Sequence, residues 1–177
     1  MEYILDRIRE NLEVLFVGFN PSVRSSEVGH HFANPSNRFW TVMYEAGFTP
    51  RKYKPEEDDA MLDLGYGFTN IAARPTRTAA EVTKEEYEEG REILRAKILR
   101  YRPKAVCFVG KGVYQIYSGR RILPWGIQAD PVIPGIMEFV APSTSGLVRM
   151  RLDEMAAIFR QLRELLDAEK AFKNQAR

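Results

Sequence analysis

Four short apolar runs, separated by amphipathic segments, constrain the fold of this chain more than any other feature of its sequence. The runs are rich in valine, isoleucine and phenylalanine and are bounded by glycine, proline or polar residues; they comprise residues 12–18, 67–71, 105–110 and 136–141. Such runs are typical of strands that are buried on both faces. Apolar residues recur at spacings of three and four within 87–101 and 152–166, which indicates helices, and 37–47 is typical of a helix that ends at a glycine. The alternation predicts an α/β fold: one three-layer α/β/α domain with a mostly parallel central sheet.

The chain contains no internal repeat, low-complexity tract or flexible linker, so a single domain over residues 1–177 is the simplest organisation. We expect the residues after about 168 to form a frayed tail. The apolar runs are far shorter than the roughly 20 residues that span a bilayer, and charged residues interrupt the first segment, where a secretion signal would be apolar. The single cysteine, Cys107, excludes an internal disulfide and a cysteine-based zinc or iron–sulfur site. We therefore expect a cytoplasmic protein with no membrane partner and no metal or other cofactor.

The net charge of +2 hides a strong segregation of charge along the chain. Residues 56–89 hold ten acidic and three basic side chains, a net charge of −7, so the rest of the chain carries +9. A basic face opposite an acidic one is compatible with nucleic acid binding, although the overall charge alone does not indicate it.

Polar residues follow three of the predicted strands. Asn20 precedes a proline after the first run, Asn70 follows the second, and Ser143, Thr144 and Ser145 follow the fourth. In parallel sheets the loops at the carboxyl ends of strands hold the ligand site. Asn20 and Asn70 taken alone fit ordinary turns. The three hydroxyls fit helix caps or a phosphate site at a helix N-terminus.

Common catalytic motifs are absent from the sequence. Gly110-Lys111-Gly112 follows a strand, but the spacings of the ATP-binding and dinucleotide-binding glycine motifs are missing. His30 and His31, the only histidines, are adjacent and lack a supporting cluster, so we interpret them as loop residues rather than metal ligands. The sequence also lacks the glycine-flanked serine of hydrolases, which disfavours covalent serine catalysis.

Five motifs, in order along one domain, closely resemble the mismatch-specific uracil/thymine DNA glycosylases of the uracil-DNA glycosylase superfamily. They are Gly18-Phe19-Asn20-Pro21-Ser22, Gly29-His30-His31-Phe32, Asn37-Arg38-Phe39-Trp40, Gly67-Phe68-Thr69-Asn70 and Pro142-Ser143-Thr144-Ser145-Gly146-Leu147. The resemblance extends from about Val14 to the last helix and implies a uracil-DNA glycosylase-like fold. Ser22 departs from the family, which usually has glycine there, and the last loop is one residue longer than in the bacterial mismatch enzyme.

The resemblance implies roles for the residues around the reacting base. Asn20 would be the catalytic residue and, because a neutral amide is not a plausible base, would orient a water rather than deprotonate it. Backbone N–H groups near Phe19 and Phe32 would bind the oxygens of the departing base. The ring of Phe32 would stack on the extruded base, and Asn70 would contact the base edge. Ser25 and His31 would line the pocket near C5 of a pyrimidine.

The same resemblance implies the contacts with the rest of the DNA. Gly146 and Leu147 would form a wedge that fills the space left by the base. Arg149 would contact the orphaned guanine or the backbone, and Ser143, Ser145 and Lys111 would contact phosphates.

The expected function is therefore base excision by a monofunctional DNA glycosylase. Its partner would be double-stranded DNA that contains uracil or a mismatched base, and the protein would act as a monomer, associated with the nucleoid if the source is bacterial. Two alternatives stay open: a glycosylase specialised for hypoxanthine or another deaminated base, and a noncatalytic binder of damaged DNA.

Overall fold

A five-stranded sheet forms the centre of the protein in a computed structural model that describes residues 3–177. Its strands are β1 (Val14–Gly18), β2 (Tyr66–Asn70), β3 (Ala105–Val109), β4 (Gly126–Ile127) and β5 (Met137–Ala141). They are arranged in the order β2-β1-β3-β5-β4, and only β4, at the edge, is antiparallel to its neighbour. The four predicted apolar runs are the four parallel strands, which confirms the mostly parallel sheet.

Six α-helices connect and cover the strands. They are α1 (Val23–Val28), α2 (Phe39–Glu45), α3 (Ala60–Asp63), α4 (Lys84–Tyr101), α5 (Lys111–Ser118) and α6 (Leu152–Gln175). The helix predicted for 37–47 is shorter, because the Oδ1 of Asn37 accepts the backbone N–H of Phe39 and so holds Asn37 outside the first turn. At the other end of the chain, α6 is continuous to Gln175, past the point at which we expected a frayed tail.

The four parallel strands are buried on both faces, as a three-layer architecture requires. Phe16 of β1 packs with residues of α2 and α6, whereas its neighbours Leu15 and Val17 pack with residues of α4 and α5. β3 and β5 alternate in the same way between the two hydrophobic clusters. The three-layer α/β/α fold predicted from the sequence is therefore confirmed. Within residues 3–177, no helix is long and apolar enough to cross a membrane.

The sheet opens at the carboxyl end of β1. Pairing of β1 with β2 extends to Gly18 and Asn70, whereas pairing of β1 with β3 stops one residue earlier, at Val17 and Phe108. The chain passes from β1 to β2 on one side and reaches β3 on the other, so this opening is the topological switch point at which α/β folds bind ligands.

Candidate active site

A cavity of about 530 Å³ lies at this opening, between the loops that follow β1, β2 and β5. Its wall includes most of the residues that the sequence singles out: Phe19, Asn20, Ser25, His31, Phe32, Asn70, Ser143, Ser145, Gly146 and Leu147. Lys111 and Arg149 are not part of this wall. Motifs far apart in sequence therefore meet at one place.

Asn20 is held rigidly in the cavity wall by its amide nitrogen. Its Nδ2 donates to the backbone oxygen of Arg74 at 2.8 Å and to Oγ1 of Thr76 at 2.7 Å. Because a carbonyl oxygen only accepts, these bonds fix which end of the amide is nitrogen. Both N–H groups are used, and Oδ1 of Asn20 accepts no hydrogen bond from residues 3–177. The amide therefore offers the cavity an oriented acceptor.

Thr76 is a functional candidate that the sequence analysis missed. Its hydroxyl accepts from Asn20 and donates to the backbone oxygen of Thr78 at 2.6 Å, so it has a defined direction. Thr76 is buried and lies in the loop after β2, more than fifty residues from Asn20. No local pattern links two residues at that separation.

The backbone N–H groups predicted to bind the departing base are available. Those of Phe19 and Phe32 donate to no acceptor within residues 3–177. For Phe19 this follows from the opening of the sheet, since pairing with β3 has already ended at Val17. The Phe19 ring itself packs on the start of α5, where a Cβ added at Gly112 would lie 2.5 Å from its Cζ. The two glycines of Gly110-Lys111-Gly112 therefore make room for the Phe19 ring, and their presence does not require a phosphate-binding site.

Asn70 lies at the end of β2, directly beside Gly18 of β1. A Cβ added at Gly18 would lie 2.7 Å from Oδ1 of Asn70, so the glycine leaves the space that this amide occupies. The Asn70 side chain forms no hydrogen bond with residues 3–177, which leaves its donors and its acceptor free to meet a ligand.

Phe32 has an unusual backbone conformation for a bulky residue, with φ of 52°. Its ring is half-buried and stacks on Phe39, with centroids 4.0 Å apart and an interplanar angle of 11°. Left-handed backbone of this kind costs about 1–3 kcal/mol and persists only where surrounding contacts hold it.

The contacts that hold the turn of Phe32 converge on Asp58, a second residue that the sequence analysis missed. This fully buried carboxylate accepts from the backbone N–H of His31 at 2.9 Å, from Nδ1 of His30 at 3.0 Å and from Nε of Arg7 at 3.4 Å. Arg7 also donates to the backbone oxygen of Gly29 at 3.0 Å. Hydrogen bonds thus hold the turn at three successive residues, Gly29, His30 and His31.

His31 and Ser25 contribute to the wall and are also tied to the fold. The Nε2 of His31 lies 2.9 Å from the backbone oxygen of Leu5 and therefore carries the proton, while burial lowers the pKa of the imidazole, so the ring is neutral. Oγ of Ser25 accepts the backbone N–H of Ala33 at 3.0 Å. Oγ of Ser22 accepts the backbone N–H of Ser25 at 3.0 Å and caps α1, a bond that the glycine usual in the family cannot make.

The loop between β5 and α6, residues 142–151, does not cap α6. The helix begins at Leu152 with no side-chain cap, several residues after the three hydroxyls. Oγ of Ser143 and of Ser145 instead accept backbone N–H groups within the loop, each at 3.3 Å. Leu147, at the tip, is 87% exposed. The capping interpretation of these hydroxyls is therefore wrong, and the loop presents an apolar side chain at the rim of the cavity.

Lys111 and Arg149 stand outside the cavity. The ammonium of Lys111 lies 4.2 Å from the centre of the Trp125 ring, a cation–π contact at the start of α5. Arg149 is exposed on the 142–151 loop. Among residues 3–177, no group of three or more histidine, cysteine, aspartate or glutamate side chains is placed to hold a metal ion.

A comparison with known protein families identifies the superfamily of this chain. Residues 5–167 match the uracil DNA glycosylase superfamily. The chain belongs to that superfamily. Membership supports a DNA glycosylase, a hydrolase that acts on DNA. The fold is also similar to the solution NMR structure of a candidate uracil DNA glycosylase from Methanosarcina acetivorans, with a TM-score of 0.57 and 22% identity over 91% of this chain and 97% of that one. At this identity the similarity concerns the fold.

Proposed function

We propose that this member of the uracil DNA glycosylase superfamily is a monofunctional enzyme of the mismatch-specific type that extrudes uracil from double-stranded DNA and hydrolyses its bond to deoxyribose. Mismatched or modified pyrimidines opposite guanine are the further substrates that we propose. The observation that carries the proposal is the anchored amide of Asn20, a residue of the cavity wall whose Oδ1 accepts no hydrogen bond from residues 3–177.

The anchored amide of Asn20 would hold the attacking water in the position from which it reacts. A water that donates one hydrogen to Oδ1 of Asn20 has its lone pairs free for C1′ of the extruded nucleotide. The C1′–N bond breaks with its electron pair leaving on the base, the water oxygen bonds to C1′, and solvent takes up the released proton. Positioning of this kind supplies part of a rate enhancement without proton abstraction, so the enzyme is expected to be slow.

The departing base leaves as an anion and needs hydrogen-bond donors. The free N–H groups of Phe19 and Phe32 are suited to its oxygens, and removing one such donor typically costs about 100-fold or more in rate. Uracil also presents an N3–H donor beside the O4 acceptor, and the free amide of Asn70 has the complementary pair. Phe32 would stack on the base, and Leu147 would enter the base stack behind it.

The proposal of a monofunctional enzyme rests on the absence of a suitable nucleophile. None of the described residues that line the cavity is a lysine. Strand cleavage through a Schiff base requires such an amine, so an abasic site is the expected product.

A panel of duplexes that differ only in one base tests the proposal. The protein is incubated with G·U, A·U, G·T and hypoxanthine·T duplexes, and abasic sites are then cleaved with alkali. We expect product from the uracil duplexes. Turnover of hypoxanthine without uracil would instead identify a deaminated-purine enzyme, and tight binding without product on any duplex would identify a noncatalytic binder.

Asn20→Ala tests the residue that carries the proposal. We expect the single-turnover rate on G·U to fall by about 100-fold, because the water loses its acceptor, with little change in duplex affinity measured by fluorescence anisotropy. An unchanged rate would exclude water positioning by Asn20. An equal loss of rate and affinity would place Asn20 in binding rather than catalysis.

A further inference from the structure

Arg38 connects the start of α2 to the loop that carries Leu147. Its Nη1 donates to the backbone oxygen of Met150 at 2.7 Å, and its Nη2 donates to those of Val148 at 2.8 Å and Ser145 at 3.4 Å. Its backbone N–H donates to the oxygen of Thr144 at 2.9 Å. One residue thus contacts the loop on both sides of Leu147.

These contacts are unusual for an arginine because every acceptor is an uncharged peptide oxygen. Arg38 forms no ion pair with a carboxylate of residues 3–177, and its Nε–H is buried without a partner in that part of the chain. Arg38 is half-buried without a counter-charge, which is costly, and its hydrogen bonds to the loop offset part of that cost. The planar fork of arginine can reach several carbonyls at once, which a lysine ammonium on a flexible stem does less well.

Two neighbours of Arg38 tighten the same loop. Oδ1 of Asn37 accepts from Oγ1 of Thr144 at 2.7 Å. Gly146 lies so close to Ser36 that an added Cβ would come within 2.8 Å of its backbone oxygen. Residues 36–38 thus contact the loop on both sides of Leu147, whose own side chain is 87% exposed.

We infer that Arg38 is a positioning residue that preorganises Leu147 as the wedge for base extrusion, an inference that rests on the proposed function. A loop ordered before binding does not lose its conformational freedom when DNA arrives, so more of the contact energy is available to hold the base outside the stack. Arg38 acts through Leu147 and touches neither the base nor the reacting bond.

The test compares uracil in a G·U duplex with the same uracil in a single strand, where no stack has to be opened. Arg38→Lys keeps the charge and loses the planar fork, and Arg38→Met keeps the aliphatic stem and removes the charge, so at least one variant should fold. We expect each folded variant to lose about tenfold in single-turnover rate on the duplex and to stay within about twofold on the single strand. Arg100→Lys, at an exposed arginine near the end of α4, is the matched control and should change neither rate.

Combination with Leu147→Ala separates positioning from general stabilisation. If Arg38 acts through Leu147, the double variant Arg38→Lys/Leu147→Ala should be no slower on the duplex than Leu147→Ala alone. Equal losses on duplex and single strand, or fully additive losses on the duplex, would overturn the role of Arg38 while leaving uracil excision intact. An inactive natural protein on both substrates would instead overturn the proposed function, and the inference with it.

Discussion

At the scale of single residues, the site depends on side chains whose hydrogen-bonding capacity is fully directed. The Thr76 hydroxyl accepts a hydrogen bond from Asn20 and donates one to the backbone oxygen of Thr78, so a chain of two hydrogen bonds sets the direction of the Asn20 amide. A catalytic group that is neutral and does not move a proton depends on such orientation more than an acid or a base does.

Thr76→Val therefore tests whether Asn20 must be anchored. Valine has nearly the same shape but cannot accept the Asn20 N–H, so we expect the single-turnover rate on G·U to fall by about tenfold with unchanged duplex affinity. In an Asn20→Ala background the same change should have no effect on the rate, because there is no amide to orient. A similar loss in both backgrounds would show that Thr76 acts elsewhere.

At the scale of elements, the turn that carries Phe32 depends on Asp58 for its conformation. The carboxylate accepts hydrogen bonds from His30 and His31, and it also forms a buried ion pair with Arg7. The positive φ of Phe32 has no hydrogen bond of its own to maintain it, so the contacts on its neighbours have to supply the restraint.

Asp58→Asn should therefore destabilise the protein and loosen the turn. An amide has one acceptor where the carboxylate has two, and its N–H groups would face donors, so we expect about 3 kcal/mol less free energy of unfolding in urea. Asp59→Asn is the matched control, since Asp59 contacts the same Arg7 at 2.6 Å but is 74% exposed. It should cost little, because exposed ion pairs contribute little. Equal losses in the two variants would exclude a special role for the buried carboxylate.

The elements differ in how far the sequence could predict them. The parallel strands are buried runs with a clear pattern, whereas the two-residue β4 and the short α1 and α3 have too few residues for one. Part of the cavity wall was predictable, since the resemblance names Asn20, Phe32 and Leu147, which the structure brings to one cavity. Thr76, Asp58 and Arg38 were not, because each acts on a partner that is distant in sequence, and no local periodicity records such a pairing.

At the scale of the whole molecule, several carboxylates of the acidic segment, residues 56–89, are neutralised by ion pairs with arginines. Of its carboxylates, Glu57 pairs with Arg51, Asp58 with Arg7 and Glu86 with Arg74. The Arg51 and Arg74 guanidinium groups hold the pKa of Glu57 and of Glu86 at about 2, so both stay charged in neutral solution. Among the exposed cations near the cavity, Arg77 lines it and Arg149 lies on the 142–151 loop, where Arg151 is paired with Asp153.

We therefore expect binding to undamaged duplex DNA to be weak and only moderately sensitive to salt. If Arg77, Arg149 and Lys111 each neutralise one phosphate, the slope of log K against log salt concentration should be about −3, at roughly −0.9 for each phosphate. Fluorescence anisotropy across a salt series measures it. Arg149→Ala should reduce the slope by about one and Arg100→Ala should leave it unchanged. A much steeper slope would reveal a basic surface other than these residues.

Helix α6 is long enough to extend from the cavity to the opposite end of the molecule. The helix starts beside the cavity, after the loop that follows β5, and runs back along the sheet to where Arg163 bonds Glu13 and Tyr66, near the starts of β1 and β2. Its 24 residues span about 36 Å at 1.5 Å per residue, against about 17 Å for a five-residue strand. The last turns therefore project past the sheet, with Phe172 72% exposed. These turns lie far from the cavity mouth, so a fluorophore or an immobilisation tag attached there would leave the cavity accessible. DNA binding could then be measured on single immobilised molecules.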